Sequence, residues 1–378
     1  MEEINLQASN KLFGELEDKH RLIGEYARDR METGNLEGAI QARMHQLAIV
    51  RILVNIHSRS PFLMVQAHTE LGESYFQADY HEQAIEHITS ALKINGNLFN
   101  SHIDSKQHQI TLLTALGRCY LVVGSIAEAL SLLEKALKMS KSLVGDGHVT
   151  QGPILLELAH VHSKQKEFKK AIDYLISVWE IYESEYGLEN ENMIDLYANM
   201  ANLYYQNGEL QNAIDTIRRK LKLMEDLNLE NEKKAQAGER LANWLKESGK
   251  FVEALEALKM TEKVLERLHG NVHKRSAKIK RMKCMLMIRS EEYEKALSEC
   301  HELKEIDKSL FGTNSLHYAK DLKVIGTILT ILKKNSQAGE YFNSAFQVYK
   351  RIGNKKAMKE IKIKIDELRQ DSEDMSKH

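Results

Sequence analysis

LGRCYLVVGSIAEALSLLEKAL, residues 116–137, reads as two helical segments closed by a turn. Gly117 and Tyr120 stand three apart before the break at Gly124, and Ile126 and Ala129 stand three apart after it. Spacings of three and four put residues on one face of a helix. The alanine of this segment recurs along the chain as Ala39, Ala84, Ala129, Ala171, Ala213, Ala254, Ala296 and Ala338, at successive spacings of 45, 45, 42, 42, 41, 42 and 42. Twelve residues before each one lies a small residue: Ala27, Gly72, Gly117, Ala159, Ala201, Ala242, Cys284 or Gly326. Nine before it a bulkier residue is usual, as in Tyr75, Tyr120, His162 and Tyr204, and three before it stand Leu36, Ile126, Phe168, Leu210, Phe251 and Tyr293.

The unit is a helix–turn–helix pair. The small residue on the first helix (helix A) and the alanine on the second (helix B) let the two backbones approach, and the bulky residues fill the space around the crossing. One pair cannot bury its apolar face alone, so the repeats are expected to stack into a continuous array. The boundaries follow as a lead-in segment over 1–18, eight repeats over 19–352, a capping helix over 353–370 and a disordered tail over 371–378. The cap carries Met358, Ile361, Ile365 and Leu368 on one face, and SRSPF (58–62) and NLFNSH (97–102) are the loops behind the two longer spacings.

At Leu116, Gly117, Tyr120, Ala129 and Ala136 the segment resembles the tetratricopeptide repeat, as do MANLYYQNGELQNAI (200–214) and LGESYFQADYHEQAI (71–85). The common period of that family is about 34 residues; the longer period here is similar to the kinesin light chain class. So is the glycine linker that ends the long second helix in LVGDGH (143–148), EYGLEN (185–190), LHGNVH (268–273) and LFGTNSLH (310–317). The resemblance covers residues 20–352 and implies an all-α fold, an α-solenoid wound as a right-handed superhelix of about eight repeats with a C-terminal capping helix. The chain departs from the pattern in lacking the closing proline, in placing Arg30 and Arg43 at bulky positions of repeat one, and in lacking a turn glycine in repeats seven and eight.

Composition narrows the function. Over 378 residues, 53 Lys and Arg balance 54 Asp and Glu, which argues against a surface built for nucleic acid or anionic membrane. Two prolines leave long helices unbroken. Three dispersed cysteines with no C-x-x-C pair point to reduced thiols and a cytosolic-type compartment. The N-terminus has no apolar leader region, and no run of 18 apolar residues occurs. A cytoplasmic protein is expected. Phosphate-cradling glycine patterns are absent. His162 falls at a core position, while His148, His273 and His317 recur in equivalent linkers, where capping suits them. Cys284 and Cys300 take packing positions as small hydrophobes. No metal, no cofactor and no catalytic group are expected.

In the family resembled, helix A lines the concave surface. The groove positions are then Glu25, Glu32, Glu70 and Glu73 at an acidic end, and His160, Lys164, Asn199, Asn202, Gln206 and Asn243 in an amide-rich middle. A more apolar end holds Met285, Arg289, Thr327 and Ile331. An amide both donates and accepts, so Asn199 and Asn202 suit the main chain of an extended peptide. The run KRSAKIKRMK (274–283), with Lys274, Arg275, Lys278, Lys280, Arg281 and Lys283, is either a solvated face or a contact for an acidic protein partner. It lacks the interleaved aromatics that nucleic acid would use. The expected function is a non-catalytic scaffold or adaptor that binds other proteins, through a peptide or helix in the groove. The resemblance implies a cytoskeletal, motor or ciliary setting. The alternative is a regulator that senses a short signalling peptide. The sequence does not indicate an oligomeric state.

Overall fold

The computed structural model describes residues 2–56, 59–98 and 103–375, and every regular element among them is a helix. The chain forms two compact units, Met1–Asn190 and Glu191–His378. In unit one the A and B helices pair as α1 (Glu2–Glu32) with α2 (Leu36–Asn55), α3 (Phe62–Gln77) with α4 (His81–Leu98), α5 (Ile103–Val122) with α6 (Ile126–Val144), and α7 (Gly152–Lys164) with α8 (Phe168–Tyr186). Unit two pairs α9 (Asn192–Gln206) with α10 (Leu210–Asp226), α11 (Glu232–Glu247) with α12 (Phe251–His269), α13 (Lys274–Arg289) with α14 (Tyr293–Phe311), and α15 (Leu316–Ile331) with α16 (Asn335–Arg351). Helix α17 (Lys355–Met375) follows, and Ile361 and Leu368 on it are buried in the unit-two core. The array is the all-α repeat architecture that the periodicity implies.

Some boundaries fall elsewhere than the sequence placed them. Helix α1 is unbroken from Glu2, so the lead-in segment continues helix A of the first pair. Helix α17 runs five residues past the anticipated start of a tail at 371, with 376–378 outside the described residues. Parts of the two anticipated loops, 58 and 99–102, also lie outside the described residues, as does residue 57.

The crossing within each pair has a simple steric rule. All eight recurring alanines are fully buried. Where the small residue on helix A is glycine, the side chain four residues after the alanine covers it. A Cβ placed on Gly72 would lie 2.7 Å from Ile88 Cγ1, one on Gly117 would lie 2.8 Å from Leu133 Cγ, and one on Gly326 would lie 2.7 Å from Phe342 Cε1. Those distances are too short for any added atom unless the partner moves. Gly117→Leu is therefore expected to destabilise unit one by about 1–3 kcal/mol through overpacking. Urea unfolding would show this, and an unchanged midpoint would count against the assigned crossing.

The turn between A and B is equally regular. The residue five before each alanine has positive φ in all eight pairs. It is glycine at Gly34, Gly124, Gly208 and Gly249, but Asp79, Lys166, Glu291 and Lys333 in the other four, with φ from 58° to 63°. The left-handed region strains a residue carrying a Cβ. Lys166→Gly and Glu291→Gly are each expected to stabilise by about 0.5–1 kcal/mol, since relief of strain outweighs the extra entropy of unfolded glycine. A fall in melting temperature for both variants would contradict this.

Candidate functional site

The A-helix face of unit two presents matched rows of side chains. On α9 they are Asn199, Asn202 and Gln206, spaced i, i+3 and i+7; on α11 the residues 41 further on are Arg240, Asn243 and Glu247. The rows touch. Arg240 Nη1 donates to Asn202 Oδ1 at 2.6 Å, so the carbonyl of Asn202 is held by a guanidinium. Tyr205 donates to Glu247 at 3.0 Å and stacks on Trp244 with ring centroids 5.1 Å apart. Asn243 donates to the Glu239 carbonyl at 3.1 Å and accepts from Lys246 at 3.4 Å. A depression of about 540 Å³ between α11 and α13 brings Asn243 and Glu247 together with Arg289. Among these, Arg240, Tyr205 and Trp244 were not singled out by the sequence reading. Arg240 was legible all the same, because it occupies the register position of Asn199.

Unit one holds the other groove residues. Glu25 and Glu32 are exposed, and Glu25 pairs with Arg21 at 3.7 Å. Glu70 is taken up by Arg43 at 2.6 Å. Arg43 stands where other repeats carry the large apolar side chain of the crossing; it is buried and also donates to Gln46 at 2.6 Å. Glu70 thus neutralises a cation in the first crossing. Burial raises the Glu73 carboxyl, opposed by nearby Arg118. The acidic end is in large part engaged with the chain's own arginines. His160 and Lys164 are exposed on α7, with His160 Nδ1 3.3 Å from Glu157.

Most cations of the basic run are engaged by carboxylates of the chain itself. Lys280 and Lys283 stand three apart on the packed face of α13 and are 8% and 5% exposed. Lys283 Nζ lies 2.5 Å from Glu262 on α12 and 2.7 Å from Glu299 on α14. Lys280 Nζ lies 2.8 Å from Glu262, 3.2 Å from Glu299 and 2.9 Å from Glu302. Burial would pull the Lys280 ammonium down, but the bonds to Glu262 and Glu302 outweigh it and raise its pKa. Burial would raise Glu262, and the two lysine bonds reverse that, holding it below the usual carboxylate range. Arg275 pairs with Glu232 and, at 2.8 Å, with Glu239, which also binds Lys278 at 2.6 Å. Arg281 pairs with the fully buried Asp307. Beside it, Asp321 is pushed up to about 8 by burial and then by its hydrogen bond with Asp307. Of the six cations, Lys274 is exposed and in no ion pair among the described residues.

His148, His162, His273, His317, Cys284 and Cys300 are engaged in packing and capping. His162 is 8% exposed, stacks on Tyr174, and places Nδ1 2.8 Å from Glu167. His148 and His273 cap, each accepting from the backbone N–H two residues on at 3.3 Å. His317 instead stacks on Phe311, and Ser315 caps α15. Cys284 and Cys300 are buried. Among the described residues no group of three or more His, Cys, Asp or Glu could hold a metal, and no helix is long and apolar enough to cross a membrane.

Comparison with known proteins agrees with this geometry. Models of the tetratricopeptide repeat match residues 65–98, 107–184 and 150–226. The chain is similar to human tetratricopeptide repeat protein 23, at 24% identity over 202 residues, covering 50% of this chain and 44% of that protein. It is similar to kinesin light chain-related protein 3 of Arabidopsis thaliana, at 23% identity over 151 residues, covering 39% of this chain and 22% of that one. The chain therefore spans less than half the length of these curated relatives. In fold it is similar to the Rap conjugation gene regulator of plasmid pLS20, solved in complex with the Phr* peptide, with a TM-score of 0.51, 16% identity, and coverage of 78% of this chain and 77% of that one.

Proposed function

We propose, from the premise that this chain is a tetratricopeptide-repeat protein with kinesin-light-chain-like repeats, that it is a non-catalytic scaffold whose A-helix face holds a peptide segment of a partner protein. Proteins of this repeat class mediate protein–protein interaction. The observation that carries the reading is the pair of matched rows on α9 and α11. The amide N–H groups of Asn202 and Asn199 suit peptide carbonyls, and the Arg240 guanidinium beside them suits a carboxylate or a further carbonyl. Tyr205, 40% exposed and backed by the buried Trp244, offers a rigid aromatic wall for one side chain, of the kind found at binding hot spots. The similarity to a kinesin light chain-related protein favours a motor or cytoskeletal assembly, a ciliary one included, as the setting.

Affinity capture from a ciliated-cell extract tests this, with wild type beside Asn199→Ala/Asn202→Ala. A discrete set of cytoskeletal or ciliary proteins, some of them lost in the variant, is the expected result. An identical set from both proteins would overturn the A-helix face as the peptide site, and recovery of no discrete set would overturn the scaffold reading. Recovery of one short peptide alone would favour a peptide-sensing regulator.

A further inference from the structure

The sixth pair breaks the packing rule at one place. Sixteen residues before the recurring alanine, helix A of other repeats carries a large side chain, as at Leu113, Leu155, Tyr197 and Leu322. Repeat six has Gly238 there, on α11, facing Thr261 of α12. Thr261 takes the space of that side chain, since a Cβ on Gly238 would lie 2.1 Å from its Oγ1, and beside this close contact a trough of about 590 Å³ is lined by α10, α11 and α12. That lies in the range of sites that hold a ligand. The trough is on the B-helix side of unit two and shares no residue with the rows on α9 and α11.

Its chemistry is that of an amphipathic acceptor. The floor is apolar, from Leu221, Leu241, Ala257, Met260 and Val264, and Met260 is 54% exposed. The banks are basic: Arg218, Lys222, Lys234, Lys263 and Arg267 against Glu225 and Glu230. Glu230 is already shared by Lys234 at 2.8 Å and Arg267 at 3.5 Å. Lys222 and Lys263, one on each bank, are exposed and in no ion pair among the described residues. The lining runs from Arg218 to Glu225 on α10 and from Ala257 to Arg267 on α12, which is about 10–15 Å of helix.

We propose that this trough docks an acidic amphipathic helix of a partner protein, two to three turns long. Apolar residues of that helix at i, i+3 or i+4 and i+7 rest on the floor over Met260, and flanking carboxylates meet Lys222 and Lys263. Two helices side by side offer a groove that a third helix fills with one stripe. The positive banks select an acidic helix over a basic one.

The test uses the full chain and a fluorescein-labelled synthetic peptide of about 14 residues, with Leu on one helical stripe and Glu elsewhere. Fluorescence anisotropy is read beside a scrambled peptide of the same composition. Saturable binding of the amphipathic peptide and little of the scrambled one is expected. Lys222→Glu/Lys263→Glu and the surface variant Met260→Glu should each weaken it by about tenfold or more, with circular dichroism unchanged, while Asn199→Ala/Asn202→Ala binds as wild type. Equal binding of the scrambled peptide, binding unaffected by the trough variants, or no binding would overturn the proposal. So would capture of phosphatidylserine vesicles in place of the peptide. The A-helix reading stands or falls separately, because its variant is silent in this assay.

Discussion

Lys283→Met is expected to lower the stability of unit two by about 3–5 kcal/mol, the range for removing one partner of a buried ion pair. The substitution keeps length and apolar bulk, so the loss is electrostatic. It strands the carboxylates of Glu262 and Glu299, which Lys283 meets at 2.5 and 2.7 Å, with Lys280 as their remaining cation. The pH dependence follows from the directions of the shifts. Glu262 has a folded pKa below its ordinary value of 4.5, so its contribution is present above that value and is lost as pH falls through the folded pKa. Lys280 has a folded pKa above its ordinary 10.5, so its contribution is present below that value and is lost as pH rises through the folded pKa. The deficit of the variant should therefore be flat between about pH 5 and pH 10 and shrink in stronger acid. Urea titrations of a Trp179→Phe background report on unit two through Trp244, the other tryptophan. A loss below about 1 kcal/mol would show that water reaches the network and screens it.

Asp321→Asn is expected to act in the opposite direction. Asp321 is 4% exposed and its carboxyl is pushed up to about 8, by burial and by the neighbouring Asp307. Its folded pKa lies above the unfolded value of 3.8, so the folded state keeps a proton that the unfolded state releases. That proton favours the fold below pH 3.8, and the advantage is lost progressively as pH rises through the folded pKa. Asparagine is neutral at every pH and can still donate to Asp307. The variant should gain about 2–4 kcal/mol at pH 7, and its stability should be flatter than wild type between pH 4 and pH 8. Arg281, paired with Asp307, keeps its partner throughout. A variant no more stable than wild type at pH 7 would mean that Asp321 is ionised in the folded chain.

The parts of this molecule that were legible in the sequence are those set by steric period. Ala129, Gly117 and Tyr120 had to recur because a close helix crossing admits only small residues at two points and needs large ones around them. Gly145, Gly187, Gly270 and Gly312 recur because each ends a long B helix at positive φ. What stayed hidden is charge. Lys280 and Lys283 in the run 274–283 look like a solvated patch until the facing carboxylates are known, and Glu262, Glu299 and Glu302 come from two other helices. Glu70 looked like a groove acid, and only the burial of Arg43, 27 residues earlier, shows its partner. Ion pairs carry no period of their own, so a pattern search does not see them. The turn residues Asp79, Lys166, Glu291 and Lys333 were hidden for a different reason, since a strained backbone can persist where surrounding packing holds it.

The polar centre of the seventh pair bears on how far such arrays can be rearranged. The crossing at Gly117 rests on shape, with Leu133 over the glycine, and a block of this kind meets any similar neighbour on equal terms. Repeat seven is keyed: its cations on α13 need Glu262 from the block before and Asp307 from its own second helix. Excising one shape-only repeat at its period would leave two compatible surfaces to meet. Excising repeat six would bring α13 against a block with no counterpart to Glu262, and splicing repeat seven elsewhere would bury lysines without their acids. Interchange of modules along this chain is thus free at some joints and locked at the keyed ones, where Arg43 meets Glu70, Lys283 meets Glu262 and Asp307 meets Asp321, so gain or loss of repeats in chains of this kind should stop at those joints.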